Sequence, residues 1–550
     1  MGYTVAEALL SYLYHRGVRQ IFGIVGREAS MILFNEQQGI EFVLTHHEFT
    51  AGIMADVLAR LTHRPQVCFS TLGPGVTNLT TAVASACLDR SPIIALASQA
   101  ESYHIIYNQT HQCLDSVSIM KPMTKFAAEL TRPEEIISLL DQAFEASMTE
   151  LPGPSFLSLP MDLLKAEVPK EIVDAALQRP AGVVVYQSKE VGWREKLDQV
   201  AELVRVAKHP LIIAGNAVIH GGITERVVEL SESLQIPVVT PYTTGGVLPH
   251  DHPLNYGAIS TYSDLILNYH ALDSIFSPVD LILTLGYDYA EGLTPDMWTR
   301  GVDKKVVRIA SIPNLVHQVF QPDVDVVDSL EDSMIYLQTA LAGTLKKRPH
   351  DISGVRQKTA EFTHDNTEYP GGLQAYQVVE QINKVVDDGV LVCDVGLFRS
   401  FAVLFSQINL PYSFITSSGC STFGFGLPGA MAARIAKPDK PVIALCGDGG
   451  FLSNSQDLET AVRYNLPIVI VVLNNHSNGL IRLYQKLGHQ QTYAPPVEFG
   501  KVDFVGLARA NGCEGFYVNR LAELQPTLIR AIALNRPTLI EIPVLYQNLL

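Results

Sequence analysis

The sharpest pattern of apolar and polar positions lies between Pro441 and Leu480. An apolar run, Val442 to Cys446, stops abruptly at Gly447-Asp448-Gly449-Gly450. A stretch with helical spacing follows. Ser453 and Gln456 fit an S-x-x-Q capping box, and Leu458, Ala461 and Val462 make one apolar stripe. A second apolar run, Pro467 to Leu473, ends at Asn474-Asn475. This reads as strand–helix–strand, and a crossover of that length makes the two strands parallel. The same alternation fills the rest of the chain. It predicts a helix over Val5–Arg16, with Thr4 and Glu7 as a capping box, and a strand over Ile21–Val25. A strand over Phe42–Thr45 runs into a helix over Glu48–Leu61. Further strands are expected over Val67–Thr71, Ile93–Ala97, Leu211–Ala214, Pro237–Thr240 and Leu281–Leu285. The class is therefore α/β, with three doubly wound parallel-sheet domains over residues 1–165, 191–345 and 371–550. Polar, proline-bearing stretches at 166–190 and 346–370 read as linkers.

Composition narrows the picture. With 550 residues and 47% hydrophobic content there is material for several cores, and only 17% charged residues argues against long disordered tails. A net charge of −16 argues against nucleic acid and against an anionic membrane surface, so an anionic ligand needs local cations or N–H groups. The seven cysteines include no C-x-x-C pair and read as reduced core residues. No apolar run reaches membrane-spanning length, and the N-terminus reads as an amphipathic helix. A cytoplasmic protein is the expectation.

The candidate chemistry starts at the two strand ends. Adjacent parallel strands would set Asp448 and Asn475 side by side on the edge where open α/β sheets bind ligands. Both offer oxygen to a hard cation, and the glycines let backbone N–H groups approach a phosphate. Mg²⁺ is usually held by one or two carboxylates plus phosphate oxygens, so the stretch reads as a site for Mg²⁺ and a diphosphate. Arg27 and Arg399 are cations on loops at strand ends. Each could bind a substrate phosphate or carboxylate, or make an ordinary ion pair. Gly424 to Gly429 fits G-x-G-x-x-G, but its flanks are polar and no acid lies at the right spacing, so a nicotinamide site is disfavoured.

GDGG and NN at this spacing resemble the signature of thiamine diphosphate (ThDP) enzymes, and the likeness extends over essentially the whole chain. The resemblance implies pyrimidine-binding, central and diphosphate-binding domains in that order. It also implies ThDP and Mg²⁺ as cofactors, with Asp448, the Asn475 side chain and the Ser477 carbonyl on the metal. Glu48, in LTHHEFTAG, matches the glutamate that activates the cofactor's aminopyrimidine in such enzymes. His111 and Gln112, in NQTHQCLDS, match a loop that reaches the reacting carbon. A homodimer or homotetramer with active sites between subunits follows from the same resemblance.

Within that family the chain departs from acetolactate synthases at three places. Phe423 replaces their aliphatic wedge, His111-Gln112 stands where they have phenylalanine–glutamine, and GREAS surrounds Arg27. All three are similar to the N2-(2-carboxyethyl)arginine synthase branch. That branch implies cofactor contacts from Val395, Gly396, Leu397, Phe398, Ser421, Thr422, Phe423, Gly449, Gly450, Asn478, Gly479, Leu480 and Tyr546. It places the substrate near His111, Gln112, Tyr262 and Arg399. The implied reaction is carboxyethyl transfer from glyceraldehyde 3-phosphate, a phosphorylated triose, to an amino acid amine through acryloyl-ThDP, with arginine the default acceptor. The alternative is an acetolactate synthase or related pyruvate carboligase; a non-catalytic homologue is the third reading. Gly292 stands where that branch carries an acid facing its substrate, Ser400 replaces its histidine, and the chain stops at Leu550 without its short C-terminal extension. The acceptor amine is left open by these differences.

Overall fold

A computed structural model describes residues 2–27, 39–107, 111–182, 190–259, 262–288, 293–314, 321–489, 495–546 and 549. The expected three parallel-sheet α/β domains are present. The first sheet holds β1 (Gln20–Gly23), β2 (Glu41–Leu44), β3 (Gln66–Ser70), β4 (Ile93–Gln99), β5 (Phe126–Glu129) and β6 (Ser155–Pro160) in the order β2-β1-β3-β4-β6-β5. The second holds β7 (Pro210–Ala214), β8 (Val238–Pro241), β9 (Asn255–Ile259), β10 (Leu281–Leu285), β11 (Lys305–Ala310) and β12 (Val324–Val327) in the order β9-β8-β7-β10-β11-β12. The third holds β13 (Leu373–Gln374), β14 (Val390–Cys393), β15 (Phe414–Ile415), β16 (Val442–Gly447), β17 (Val469–Asn474), β18 (Glu514–Tyr517) and β19 (Thr538–Leu545). Its order is β13-β19-β17-β16-β14-β15, with β18 beside β19.

By chain contacts the molecule forms two compact units. One is Met1–Tyr186 with Met431–Ala436 and Asn454–Tyr464; the other is the remainder, with the second and third sheets. Period-two alternation explains why these sheets need helices on both faces. In the second sheet Ile212, Leu283 and Ile309 enter one apolar core, while Leu211, Ile213 and Ile282 enter another.

Thr4 and Glu7 form the expected reciprocal capping box, Glu7 N–H to Thr4 Oγ1 at 3.2 Å and Thr4 N–H to Glu7 Oε2 at 2.7 Å. The box expected at Ser453 and Gln456 does not form. The crossover breaks instead into a helix over Asp448–Ser453, a 3-10 turn over Ser455–Asp457 and a helix over Leu458–Arg463. Ser453 ends the first of these helices, its Oγ donating back to Gly450 O at 2.7 Å, and the next turn starts after Asn454, so no helix begins at Ser453 for it to cap. The expected linkers are also partly regular. Glu167–Val168 pairs antiparallel with Tyr3–Thr4, and Lys170–Leu177 is a helix whose Val173 and Ala176 enter the first unit's core. A helix over Ser353–Thr363 interrupts the second linker. Their short apolar stripes are masked in the sequence by surrounding charge and proline.

Candidate active site

Strands β16 and β17 are adjacent and parallel, with Gly447 opposite Leu473, so Asp448 and the Asn475 turn emerge together. Strand order reverses between β14 and β16, which makes the loops after them a topological switch point, where such sheets bind ligands. Asp448 is 4% exposed. Its Oδ1 accepts the Gly449 N–H at 2.8 Å, while its Oδ2 is buried with no hydrogen-bond partner among the described residues. Burial pushes its carboxyl up, against the opposing pull of the Gly449, His476 and Ser477 N–H groups. An orphaned buried carboxylate oxygen is costly unless something cationic satisfies it.

The facing turn is held from two sides. Asn475 Nδ2 donates to Ser477 Oγ at 2.9 Å, which leaves its Oδ1 for a cation. His476 adopts φ 54, its N–H donates to Asn474 Oδ1 at 3.1 Å, and Asn474 Nδ2 donates to Glu541 Oε1 at 2.9 Å. Asn478 N–H reaches Val497 O at 2.7 Å and Phe499 N–H reaches His476 O at 2.8 Å. Close side chains explain the glycines: a Cβ on Gly449 would lie 2.7 Å from the Phe499 ring, and one on Gly450 2.8 Å from Asp394 Oδ2. Among the described residues no three His, Cys, Asp or Glu side chains gather as a protein-only metal cage. One orphaned carboxylate beside an amide oxygen and open backbone suits Mg²⁺ completed by phosphate oxygens.

Asp394 was not singled out by the sequence reading, although it is an acid closing an apolar strand before a glycine. It is fully buried and accepts N–H groups from Val395 at 2.7 Å, Gly424 at 2.9 Å and Phe425 at 3.1 Å, with Gly426 also contributing. Burial outweighs these donors and pushes its carboxyl up to about 6. Asp394 thereby ties Val395, just before the helix Leu397–Phe405, to Gly424–Gly426. The G-x-G-x-x-G run follows a loop here and opens the helix Gly426–Ala436, unlike a dinucleotide turn after a strand. Leu397 and Phe398 are buried, and Ser421, at φ 48, donates to Ser418 O at 2.6 Å. Thr422 follows it, and Phe423 is 59% exposed. Asn478 precedes a helix that starts at Gly479 and Leu480. Buried Tyr546 packs on Phe401 at 5.8 Å, and burial with the negative field of Asp448 pushes its hydroxyl up.

Arg399 and Tyr262 do come together. The Arg399 guanidinium lies over the Tyr242 ring at 5.0 Å and donates to Ser417 O at 2.6 Å. Tyr262 shares a short hydrogen bond with Tyr484. Its hydroxyl is pushed up by burial and by that bond, with Arg399 opposing.

In the first unit Glu48 is 5% exposed and opens the helix Glu48–Thr62. Its Oε2 accepts from Asn78 Nδ2 at 3.0 Å, and its Oε1 lies 3.3 Å from where a Cβ of Gly75 would sit. Gln112, at φ 62, packs so closely on Gly73 that a Cβ there would meet it at 2.7 Å. The turn Leu72-Gly73-Pro74-Gly75 therefore brings Glu48 and the exposed His111–Gln112 pair to one place. Arg27 is exposed after β1, with no described contact to Glu48 or Gln112. Gly292 and the rest of GREAS beyond Arg27 lie outside the described residues.

Comparison with known proteins accords with this site. The chain matches the thiamine pyrophosphate enzyme N-terminal TPP binding domain over residues 3–119, the central domain over 197–337 and the C-terminal TPP binding domain over 394–542. It belongs to the thiamine pyrophosphate (ThDP) enzyme family and is a ThDP-dependent enzyme. A probable acetolactate synthase large subunit of Methanocaldococcus jannaschii is 31% identical, covering 98% of this chain and 91% of that protein. Acetolactate synthase of Bacillus subtilis is 27% identical, covering 99% and 93%. A ThDP-dependent 4-hydroxybenzoylformate decarboxylase of Rhodococcus jostii RHA1 shares the fold, with TM-score 0.84, 23% identity and coverage of 99% of this chain and 100% of that one. Among the described residues no helix is long and apolar enough to cross a membrane.

Proposed function

We propose that the chain is a Mg²⁺-assisted ThDP carboligase of the acetolactate synthase type. The observation that carries this is the near-full-length similarity to acetolactate synthases. When bound, the cofactor supplies a nucleophilic carbon that adds to a substrate carbonyl. Asp448, Asn475 Oδ1 and the Ser477 carbonyl hold the metal. Gly449, Gly450 and Asn478 to Leu480 offer N–H groups to the diphosphate, while Val395–Phe398, Ser421–Phe423 and Tyr546 surround the cofactor. Glu48 holds the proton at the aminopyrimidine N1′ of a neighbouring subunit's cofactor, so the working form is a homodimer or homotetramer. His111 and Gln112 move and orient protons on the substrate, and Arg399, Tyr262 and Arg27 bind its anionic end. The domain limits 1–165, 191–345 and 371–550, and a cytoplasmic location without nucleic acid or membrane partners, belong to the same reading.

A second reading is carboxyethyl transfer from glyceraldehyde 3-phosphate to an amino acid amine. It is favoured by Phe423 at the wedge position and by the His111–Gln112 pair, both unlike acetolactate synthases. One experiment separates the two. Purified protein with ThDP and Mg²⁺ is given pyruvate, or glyceraldehyde 3-phosphate with and without L-arginine. Carbon dioxide and acetolactate from pyruvate support the first reading. Phosphate release with a carboxyethyl-arginine mass supports the second, and release without that mass points to another amine. No turnover with either donor overturns both.

A further inference from the structure

One buried carboxylate of the first unit has no part in the chemistry above. Asp457 follows Asp448 by nine positions, in the crossover between β16 and β17, and is 0% exposed. Its Oδ1 accepts the His46 N–H at 2.8 Å and Thr460 Oγ1 at 2.9 Å, and its Oδ2 accepts Thr50 Oγ1 at 2.7 Å. His46 and Thr50 lie two residues before and two residues after Glu48. The helix's own cap is His47, whose Nδ1 accepts only the Phe49 N–H, at 3.0 Å. Asp457 therefore takes the polar groups on both sides of Glu48 that His47 leaves unmet.

The same segment grips the strand leading into Glu48. Tyr464 OH accepts the Leu44 N–H at 2.9 Å and donates to Phe42 O at 3.1 Å. Arg463 Nη2 donates to Leu44 O at 3.0 Å. On the outer side His46 Nε2 pairs with Glu459 at 2.8 Å. Among these contacts only those of Asp457 span Glu48 itself, and its bond to Thr50 is fully buried. Hydrogen bonds to a buried charge are the strong and geometrically demanding kind.

We propose that Asp457 is a positioning residue that fixes the Glu48 carboxylate for proton exchange with the cofactor. The proposal rests on the reading of Glu48 as activator. It also implies that the stretch following the diphosphate loop sets the geometry of the activating acid on the same chain.

The test compares Asp457→Asn, Asp457→Ala, Glu48→Gln and Tyr464→Phe. In cofactor-free protein, hydrogen–deuterium exchange over residues 46–50 should accelerate at least about tenfold in Asp457→Ala, because a buried charge-assisted bond is lost. In protein loaded with ThDP and Mg²⁺, the exchange rate of the cofactor's C2 proton should fall about tenfold or more in Asp457→Asn and Asp457→Ala. Tyr464→Phe loosens the same segment away from Glu48. It should lower thermal stability and leave C2 exchange at the wild-type rate. If Asp457→Ala does not fold, the isosteric Asp457→Asn carries the comparison. Wild-type C2 exchange in both Asp457 variants, with Glu48→Gln impaired, overturns the proposal. So does an equal loss in Tyr464→Phe, which would mark a merely structural role. Wild-type exchange in Glu48→Gln overturns the activator reading itself.

Discussion

The second and third sheets share a plan and differ at their edges. Both are parallel, covered on both faces, and reverse strand order in mid-sheet. In the second, the reversal lies between β7 and β10, and its loops close on each other. A Cβ on Gly215 would stand 2.4 Å from Tyr287 Cα, and one on Gly286, at φ +59, 2.7 Å from Ala217 Cβ. Gly215 N–H is spent on Leu285 O at 2.9 Å, and the Arg308 cation on Asp325 at 2.8 Å and Ile312 O at 3.0 Å. In the third, Asp394 draws loop N–H groups to itself, and Asp448 Oδ2 is left buried and unmet. Glycines and topology are common to both edges. The candidate ligand site is distinguished by a buried acceptor with no hydrogen-bond partner among the described residues.

The strongest way to break this contrast is Asp448→Ala. We expect loss of ThDP and Mg²⁺ retention, measured by calorimetric titration, and a fall in kcat/KM of roughly a thousandfold, since the proposed metal ligand is removed. No change in metal retention would refute the assignment.

Next in size is a pH effect at Asp394. Its carboxyl is raised from 3.8 to about 6 in the folded protein. A raised folded value stabilises fully below the unfolded pKa and loses that contribution as pH rises through the folded one. Urea denaturation should therefore show wild type losing about 2 kcal/mol relative to Asp394→Asn between pH 4 and pH 6.5. Parallel pH profiles would show that Asp394 is not the group responsible.

At the closed edge, Gly286→Ala forces a Cβ into Ala217 at a left-handed backbone. A loss of about 2 kcal/mol in unfolding free energy is expected, with ThDP affinity unchanged. Weakened cofactor binding there would mean the two edges are not separate in function. The smallest expected effect is at Glu541, which holds Asn474 beneath the proposed metal-binding turn. Glu541→Gln should raise the apparent Mg²⁺ constant about tenfold while kcat at saturating metal stays put. A lowered kcat with unchanged metal dependence would point away from a bracing role.

Much of the site was legible because its residues are marked by local punctuation. Asp448 and Asn475 each end an apolar run, and a parallel crossover obliges them to meet. Glu48 follows a short strand and opens a long helix that is buried almost throughout. The linker helices were hidden because their apolar stripes are only two or three residues long. Asp394 and Asp457 read as ordinary acids in sequence, since their partners lie 30 and 411 positions away.

What the sequence by itself determined is therefore the order of strands and helices, the parallel sheets and the acid and amide that two adjacent strand ends bring together. These follow from hydrophobic period and from turn residues, which act over a few positions. Tertiary structure alone decided which edge is sealed and which keeps an orphaned carboxylate. It also decided that Asp457 closes around Glu48 and that Tyr484 meets Tyr262. Such pairings depend on burial and hydrogen-bond satisfaction between distant segments, and no local pattern encodes them.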